Sequence, residues 1–287
     1  MNQKAVKAKA FLTLSRIICY TVLGLLAALC LFSFYFLLVN ASRPHGSIMS
    51  EFSFVPGNYL LKNLQNLLAD SENIPMLRGL LNSLIVSGST ALLATYFSAL
   101  TAYGIHAYNF RFKKAAFLTI MVIMMIPTQV SALGFVSLVR EFGMMDTFFP
   151  LILPSIAAPI VFYYMKSYME SVLPLEIVEA ARVDGSNEFR TFNRIVLPII
   201  KPAIAVQAIF QFVTSWNNFF TPSLIINSTQ NKTIPILIYQ LRSANFMKFD
   251  LGQVYIMIFV AIIPLLIVYI FLSKYIIKGL TLGSVKG

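Results

Sequence analysis

The chain has 287 residues, of which 58% are hydrophobic and 11% are charged. Soluble domains carry about a quarter charged residues, so this composition excludes an ordinary water-soluble fold and predicts an integral membrane protein. The net charge of +11 indicates loops that face anionic lipid rather than a nucleic-acid partner. Both cysteines, Cys19 and Cys30, fall in the first apolar run, which predicts neither a disulfide framework nor a metal site.

Six apolar runs are long enough to cross the hydrocarbon core of a bilayer, which takes about 20 helical residues. We therefore predict an all-α integral membrane protein with six transmembrane helices. Pro127 in the third run predicts a kink, and Pro150, Pro154 and Pro159 predict a kinked fourth span, because neighbouring helices can satisfy the backbone groups that proline leaves free. The runs are residues 17–39, 79–104, 115–138, 148–165, 199–220 and 254–272.

The distribution of basic residues predicts the orientation of these spans. The first run, at about 23 residues, exceeds the 7–15 residues of a secretory signal, so we expect it to be retained. With the N-terminus inside, 15 of the 22 Lys and Arg residues fall in inner segments, so both termini are predicted to be cytoplasmic. The predicted parts are a cytoplasmic N-terminus (1–16), the first helix (17–39), an extracytoplasmic segment (40–78), a membrane core (79–278) and a cytoplasmic tail (279–287).

The inner segment 166–201 is too polar to cross a bilayer and too long to be a plain connector, so we expect it to be structured. Pro174 suits the first position of a helix and Gly185 its left-handed C-terminal cap. Ser186 can cap a second short helix, which Pro198 is predicted to end. On residue patterns alone, this pair of helices either rests on lipid or docks on protein. The first helix carries one mostly apolar face, formed by Leu173, Ile177, Ala180, Ala181 and Asp184.

The spacing within this segment resembles the EAA loop of bacterial ABC importer permeases. Seven fixed positions match, which chance produces about once in 10⁸ starting points. The stretch Trp216-Asn217-Asn218-Phe219 is similar to one in carbohydrate-type permeases, and residues 278–287 are similar to the tail of maltose-type second permease subunits. The resemblance covers nearly the whole chain. The matching positions are Glu179, Ala180, Ala181, Gly185, Ile195, Leu197 and Pro198.

The resemblance implies a transmembrane permease subunit of a binding-protein-dependent importer for a carbohydrate in the bacterial cytoplasmic membrane. The implied partners are a second, homologous permease subunit, an ABC ATPase dimer and an extracytoplasmic solute-binding protein. ATP and Mg²⁺ are expected on the ATPases, because this sequence has no Gly-x₄-Gly-Lys-Ser/Thr loop to bind them. We therefore expect no enzymatic activity, no cofactor and no metal in this chain.

The resemblance also implies roles for residues of the loop, which in this family docks in a cleft of the ATPase. Glu179 corresponds to the polar anchor, Ala180 and Ala181 to the closely packed face, and Gly185 to the turn. The plain alternative for Glu179 is an i,i+3 ion pair with Arg182. The outer loop 221–253 corresponds to the contact with the binding protein.

Polar residues of the fifth run are candidates for the translocation path. Spacings of i, i+4, i+7 and i+11 predict that four of them share one helical face. Polar side chains in hydrocarbon either line a water-accessible path or bond to a neighbouring helix, and the pattern leaves both open. The candidates are Gln207, Gln211, Thr214 and Asn218, together with Asn217.

The C-terminal tail contains three glycines and one charge, so it lacks the basic cluster of a membrane-surface anchor. We expect it to reach into the ATPase dimer, with a frayed terminus as the alternative. The residues predicted to contact the ATPase are Gly279, Thr281, Gly283 and Lys286.

An ion-coupled secondary transporter or channel subunit is the alternative function. Such proteins usually bury acidic or basic residues at mid-membrane, whereas none of the 11 acidic residues falls in a predicted span. A membrane enzyme is disfavoured because His45 and His106 lack metal-ligand spacing and no acid–base pair stands out.

Overall fold

A computed structural model describes the backbone of residues 3–243 and 249–283 and the side chains of residues 12–243 and 249–273. The described part of the chain is helical and contains no strand, which confirms the all-α class. Its residues form two compact units, one of Met1–Ala69 with Leu241–Val260 and one of Asp70–Gln240 with Ala261–Gly287.

Fifteen α-helices follow one another along the described residues. A 3₁₀ turn covers Leu153–Ile156, a π turn covers Phe192–Val196 and a second 3₁₀ turn covers Thr229–Asn231. The α-helices are α1 (Gln3–Ala41), α2 (His45–Ser50), α3 (Leu60–Ala69), α4 (Met76–Ala107), α5 (Lys113–Met124), α6 (Thr128–Glu141), α7 (Phe149–Ile152), α8 (Pro159–Val172), α9 (Leu175–Val183), α10 (Glu188–Thr191), α11 (Leu197–Ile199), α12 (Lys201–Trp216), α13 (Phe220–Ile225), α14 (Ile234–Arg242) and α15 (Leu251–Gly283).

Four stretches are long and apolar enough to cross a membrane as single spans, and two more qualify only as bent pairs of helices. The described residues thus hold four candidate spans, or six if each bent pair is one span. The single spans, Leu12–Ala41, Met76–Ala107, Phe149–Val172 and Leu251–Ser273, match the first, second, fourth and sixth predicted runs. The third run bends by 96° between Lys113–Met124 and Thr128–Glu141. The second bent pair joins Glu188–Ile199, which belongs to the predicted inner segment, to Lys201–Trp216 of the fifth run, at an angle of 82°.

Proline accounts for both bends. Pro127 lies in extended conformation between α5 and α6, because it has no N–H to donate to a helix and disfavours helical geometry in the residue before it. The bend before α12 falls at Ile200, and Pro202 occupies the first turn of α12, where a missing N–H costs nothing. The third run is therefore not the single helix that its length predicts, whereas one helix, α12, covers most of the fifth run.

The second unit is built around α4, along which α8 and α12 pack. One face of α4 is buried and made of small or short polar residues. Such a face lets neighbouring backbones approach closely, which is how helices associate inside a membrane, where lipid removes the hydrophobic driving force. The hydroxyls of Ser87 and Thr95 donate to carbonyls one turn back on α4, so they need no outside partner. The buried face includes Ser83, Ser87, Ala91, Ala94, Thr95, Ser98, Ala99 and Ala102.

The loops of the second unit lie in two groups, one at each end of α4. Segments predicted to lie inside meet at its C-terminal end, where Tyr103 contacts Glu188. Segments predicted to lie outside meet near its N-terminal end, where Asn82 donates to the carbonyls of Gln230 and Lys232 at 2.8 and 2.9 Å. Asn82 and Tyr103 are separated by about 30 Å of helix, one hydrocarbon thickness. The side of the membrane that each end of α4 faces stays a prediction.

Candidate functional site

The loop that carries the seven-position signature forms a helical hairpin, residues 175–199, which we call the coupling hairpin. Its first arm is α9, for which Pro174 is the N-cap rather than the first helical residue. The arm ends at Gly185, whose φ of 76° is left-handed as predicted. Ser186 N donates to Ala181 O at 2.9 Å and Gly185 N donates to Arg182 O at 3.0 Å. These two bonds form a Schellman motif, which satisfies carbonyls at the end of α9.

The second arm differs from the prediction at both ends. Asn187, not Ser186, is the N-cap, because its Oδ1 accepts a hydrogen bond from Arg190 N at 2.8 Å. Ser186 Oγ instead accepts from Thr191 Oγ1 at 2.9 Å. The arm also continues past Pro198 to Ile199 through the π turn that precedes it. The wider π turn accommodates a proline that has no N–H for a regular helical ladder.

The apolar face predicted for the first arm of the coupling hairpin is only partly buried in the structure. Leu173 and Ala181 are buried, and Val178 joins them there, whereas Ile177 and Ala180 lie on the exposed side of α9. Of the other signature positions, Glu179, Gly185 and Pro198 are exposed, while Ile195 and Leu197 are half-buried. The predicted face splits because the helix turns Val178 and Ala181 toward the core, three residues apart.

An apolar surface remains open on the coupling hairpin in this chain. Val183 is 87% exposed and Phe189 is 69% exposed, and both lie in the polar inner segment rather than in one of the apolar runs. Ile177 and Ala180 extend this surface along α9 and Glu179 lies beside them. We call these five residues the exposed hairpin surface.

Glu188 joins the two arms of the coupling hairpin to α4. Its role was not predictable from the signature, because residue 188 occupies a position that the signature leaves free. Its Oε1 accepts from Arg182 Nε at 2.7 Å, across the turn at Gly185. Its Oε2 accepts from Tyr103 OH at 2.7 Å, from the end of α4. Arg182 also lies over the ring of Tyr108, with 4.9 Å between the guanidinium carbon and the ring centre.

These contacts keep the Glu188 carboxylate ionised. Partial burial opposes ionisation, but hydrogen bonds from Arg182 and the two tyrosines lower the pKa of Glu188 to about 2. Because Arg182 pairs with Glu188, the i,i+3 pair between Arg182 and Glu179 is not the arrangement in this structure. Glu179 is thereby left on the exposed side of α9.

Aromatic packing fixes the second arm to the same end of α4. Phe192 is fully buried, and its ring lies 5.7 Å from Tyr96 and 5.6 Å from Tyr103, measured between ring centres. Val196 and Met165 belong to the same buried cluster. His106 Nε2 also lies 3.0 Å from Leu173 O, just before α9. The coupling hairpin is thus packed into the bundle at its base while its turn stays exposed.

A cavity of about 700 Å³ lies in the second unit, lined mainly by α6, α7 and the chain that follows α12. Its polar lining includes Thr128 and Ser131 on α6 and Ser215, Asn218 and Thr221 near the end of α12. Among the lining residues that the structure describes, none is charged. Such a lining suits a neutral ligand with hydroxyl groups better than it suits an ion.

Only one of the predicted path residues lines this cavity. Asn218 does, whereas Gln207 is buried, Gln211 is half-buried, and Thr214 and Asn217 are exposed. Helix α12 ends at Trp216. Gln207, Gln211 and Thr214 therefore keep the spacing of one helical face, whereas Asn218 lies beyond the end of the helix. Asn218 reaches the cavity because the chain turns after α12, where its Oδ1 accepts from Thr221 N at 3.3 Å.

The predicted tail contacts fall at the edge of what the structure describes. Helix α15 extends to Gly283, so Gly279, Thr281 and Gly283 have a helical backbone, but their side-chain surroundings and all of Lys286 lie outside the described residues. The contact with an ATPase stays a prediction.

Residues 91–282 match the family described as "binding-protein-dependent transport system inner membrane component". The chain belongs to this family.

Curated relatives and one solved structure agree with this assignment. The chain is 35% identical over 209 residues to the arabinooligosaccharides transport system permease protein AraQ of Bacillus subtilis, covering 72% of each chain. It is 28% identical over 280 residues to the maltodextrin transport system permease protein MdxG of the same species, covering 96% of this chain and 97% of the relative. A bacterial ABC transporter structure involved in alginate import shares the fold, with a TM-score of 0.76 at 20% identity over 91% of this chain and 95% of the other.

Replacing Glu188 by alanine is expected to loosen the coupling hairpin, because Arg182 and Tyr103 lose their shared acceptor. A hydrogen bond to a charged group contributes about 1.5–3 kcal/mol, and partial exposure reduces this to about 1 kcal/mol, or about fivefold in an equilibrium. Hydrogen–deuterium exchange of residues 183–191 should therefore accelerate about fivefold. Glu170→Ala, which breaks the exposed pair with Lys166 on α8, is the control. Unchanged exchange in Glu188→Ala would contradict the role given to Glu188.

Proposed function

We propose that this chain is the permease subunit of an ATP-driven carbohydrate importer in the bacterial cytoplasmic membrane. It works with a second, homologous permease, with separate ATPase subunits and with an extracytoplasmic binding protein. The observation that carries the proposal is the exposed hairpin surface. This surface presents large apolar side chains on a polar loop, where protein contact covers them better than water.

The coupling hairpin receives the energy of ATP hydrolysis from a separate subunit. The ATPase docks on the exposed hairpin surface, where Glu179 is the polar anchor and Ala180 allows close approach. The bonds of Glu188 across the Gly185 turn hold the two arms together, and buried Phe192 fixes the second arm to α4. A displacement of the turn therefore moves the end of α4 rather than bending the loop alone.

The cavity beside Asn218 is the part of the chain that contacts the sugar. Its polar groups are hydroxyls and an amide, which can donate to and accept from sugar hydroxyls. Phe135 and Phe220 add aromatic surface to the lining. The names of the relatives, which include permeases for arabinooligosaccharides, maltodextrin and lactose, support an oligosaccharide as the substrate class.

An uncharged lining also argues against an ion-coupled transporter, the alternative function. Ion coupling usually requires ionisable groups facing the path inside the membrane. The carboxylate with a strongly lowered pKa, Glu188, lies instead in the coupling hairpin, paired with Arg182.

Gly185→Val should uncouple ATP hydrolysis from sugar uptake while the amount of inserted protein stays unchanged. A Cβ at Gly185 meets no heavy atom within 4 Å, so space does not limit substitution. The positive φ of Gly185 limits substitution instead, because a β-branched residue is a severe outlier in the left-handed region. The measurement is sugar transported per ATP hydrolysed by the reconstituted complex.

Gly185→Asn is the matched control for backbone geometry, because asparagine tolerates the left-handed conformation. It should keep most of the coupling that Gly185→Val loses. Equal coupling in both variants and the parent chain would show that the turn does not transmit the ATPase movement.

Asn218→Leu should reduce sugar uptake about tenfold, because a substrate hydroxyl loses a polar partner inside the cavity. Its neighbour provides a control of the same type, because Asn217 is exposed and is not part of the described cavity lining. Asn217→Leu should leave uptake within about twofold of the parent chain. A larger loss in Asn217→Leu than in Asn218→Leu would place the path elsewhere.

A further inference from the structure

The segment between α1 and α3, residues 44–57, forms a loop closed at its base, which we call the aromatic loop. Ser42 Oγ accepts from Gly57 N at 2.9 Å, and Ser42 O accepts from Tyr59 N at 2.9 Å. A Cβ on residue 57 would lie 2.5 Å from Ser42 O, so glycine is needed for this approach. The ends of the loop therefore meet at the end of α1.

A buried arginine holds one side of the aromatic loop. The side chain of Arg43 is 5% exposed, and its Nη2 donates to the Glu51 carboxylate at 2.9 Å and to Ser47 O at 3.0 Å. Its Nη1 also lies within hydrogen-bond distance of Glu51 O, at 3.2 Å. The loop is thus built from specific contacts, although only α2 within it is helical.

The tip of the aromatic loop, residues 52–55, folds back along α1. The ring of Phe52 lies 5.1 Å from that of Phe36, and the ring of Phe54 lies 6.1 Å from that of Phe32, measured between centres. Phe52 and Phe54 also contact each other edge to face at 4.8 Å. Four aromatic rings therefore form one cluster on the side of a candidate membrane span.

Three backbone groups of the tip are hydrogen-bonded although the tip is neither helix nor strand. Phe54 O accepts from Tyr35 OH. Val55 N donates to Ser53 Oγ at 3.0 Å, and Ser53 Oγ donates to Val55 O at 3.3 Å. Water would satisfy these groups in an exposed loop, whereas a segment at the edge of the hydrocarbon gains more from satisfying them internally.

Helix geometry gives the depth of the cluster. Arg16 is the last charged residue before the first span. A hydrocarbon core of about 30 Å corresponds to about 20 helical residues, so the far edge of the core falls near Phe36. Phe32 and Phe36 then lie at the boundary where aromatic side chains concentrate in membrane proteins.

The tip also presents large apolar side chains that no described residue covers. Phe52 is 65% exposed and Val55 is 71% exposed. Phe54 is exposed as well, and so is Met49 in the neighbouring α2. In water these residues would form an unfavourable apolar patch next to the span.

We propose that the aromatic loop is an interfacial anchor, whose tip enters the lipid of the outer leaflet between the headgroups and the acyl chains. Lipid is the occupant because the cluster continues the surface of α1 at the predicted depth of the interface, where the headgroup region and its water can also bond to the backbone groups of the tip. The anchor fixes the end of α1 relative to the bilayer. It is independent of ATPase coupling and of the sugar path, so its failure would leave the proposed function unaffected.

Spin labelling with a single cysteine tests this proposal. Val55→Cys is made in the full-length chain carrying Cys19→Ala and Cys30→Ala, co-expressed with cysteine-free partner subunits and reconstituted in vesicles of phosphatidylethanolamine and phosphatidylglycerol. Val55 is chosen because it makes no ring contact in the cluster, and Phe54→Cys provides a second position. Asn58→Cys, exposed and just beyond the base of the loop, is the control. Collision rates of the nitroxide with oxygen and with a water-soluble nickel complex are compared.

The ratio of oxygen to nickel collisions should be several-fold higher at positions 54 and 55 than at position 58. Equal ratios at all three positions would place the tip in water and overturn the proposal. A label at position 55 that is immobile and shielded from both reagents would show that protein covers the tip, which would also overturn it.

Discussion

Close packing along the small-residue face of α4 is the constraint on which the second unit depends. Lipid is as apolar as leucine, so helices in a membrane gain little from burying large side chains against each other and rely on contact and shape. Alanines and self-bonded hydroxyls such as that of Thr95 let α8 and α12 approach α4 closely. The position of both functional regions follows in part, because the second arm of the coupling hairpin and the α7 and α12 sides of the cavity pack against α4.

The coupling hairpin combines a firm base with an open surface. Phe192 and the charge-assisted bonds of Glu188 lie where α4 ends, while Val183 and Phe189 remain uncovered. A loop built only from exposed contacts would absorb a push from a partner by bending. Because the base is buried and its charges are paired, the proposed movement reaches the bundle. The carboxylate of Glu188 stays ionised well below neutral pH, so ordinary changes of pH should not alter this connection.

The sequence predicted the features with strong local causes. Apolar length predicted where the candidate spans lie, and the signature predicted the left-handed turn at Gly185. Features that depend on residues distant in the sequence were not predicted. Glu188 gains its role only when the fold brings Tyr103 near it. Asn218 reaches the cavity only because α12 ends at Trp216. Pro127 predicted a kink but not a 96° bend, and the helix end predicted at Pro198 did not reveal the 82° bend that follows it. The cap at Asn187 was missed because Ser186 is an equally good N-cap residue by type.

The most direct test of the central claim is oligosaccharide uptake into proteoliposomes, with the subunits added one at a time. The account predicts uptake only when this chain, its homologous permease, the ATPase, the binding protein and ATP are all present, with no effect of a proton or sodium gradient. Uptake by the membrane subunits alone, driven by either gradient and unchanged by ATP, would contradict it and establish the ion-coupled alternative.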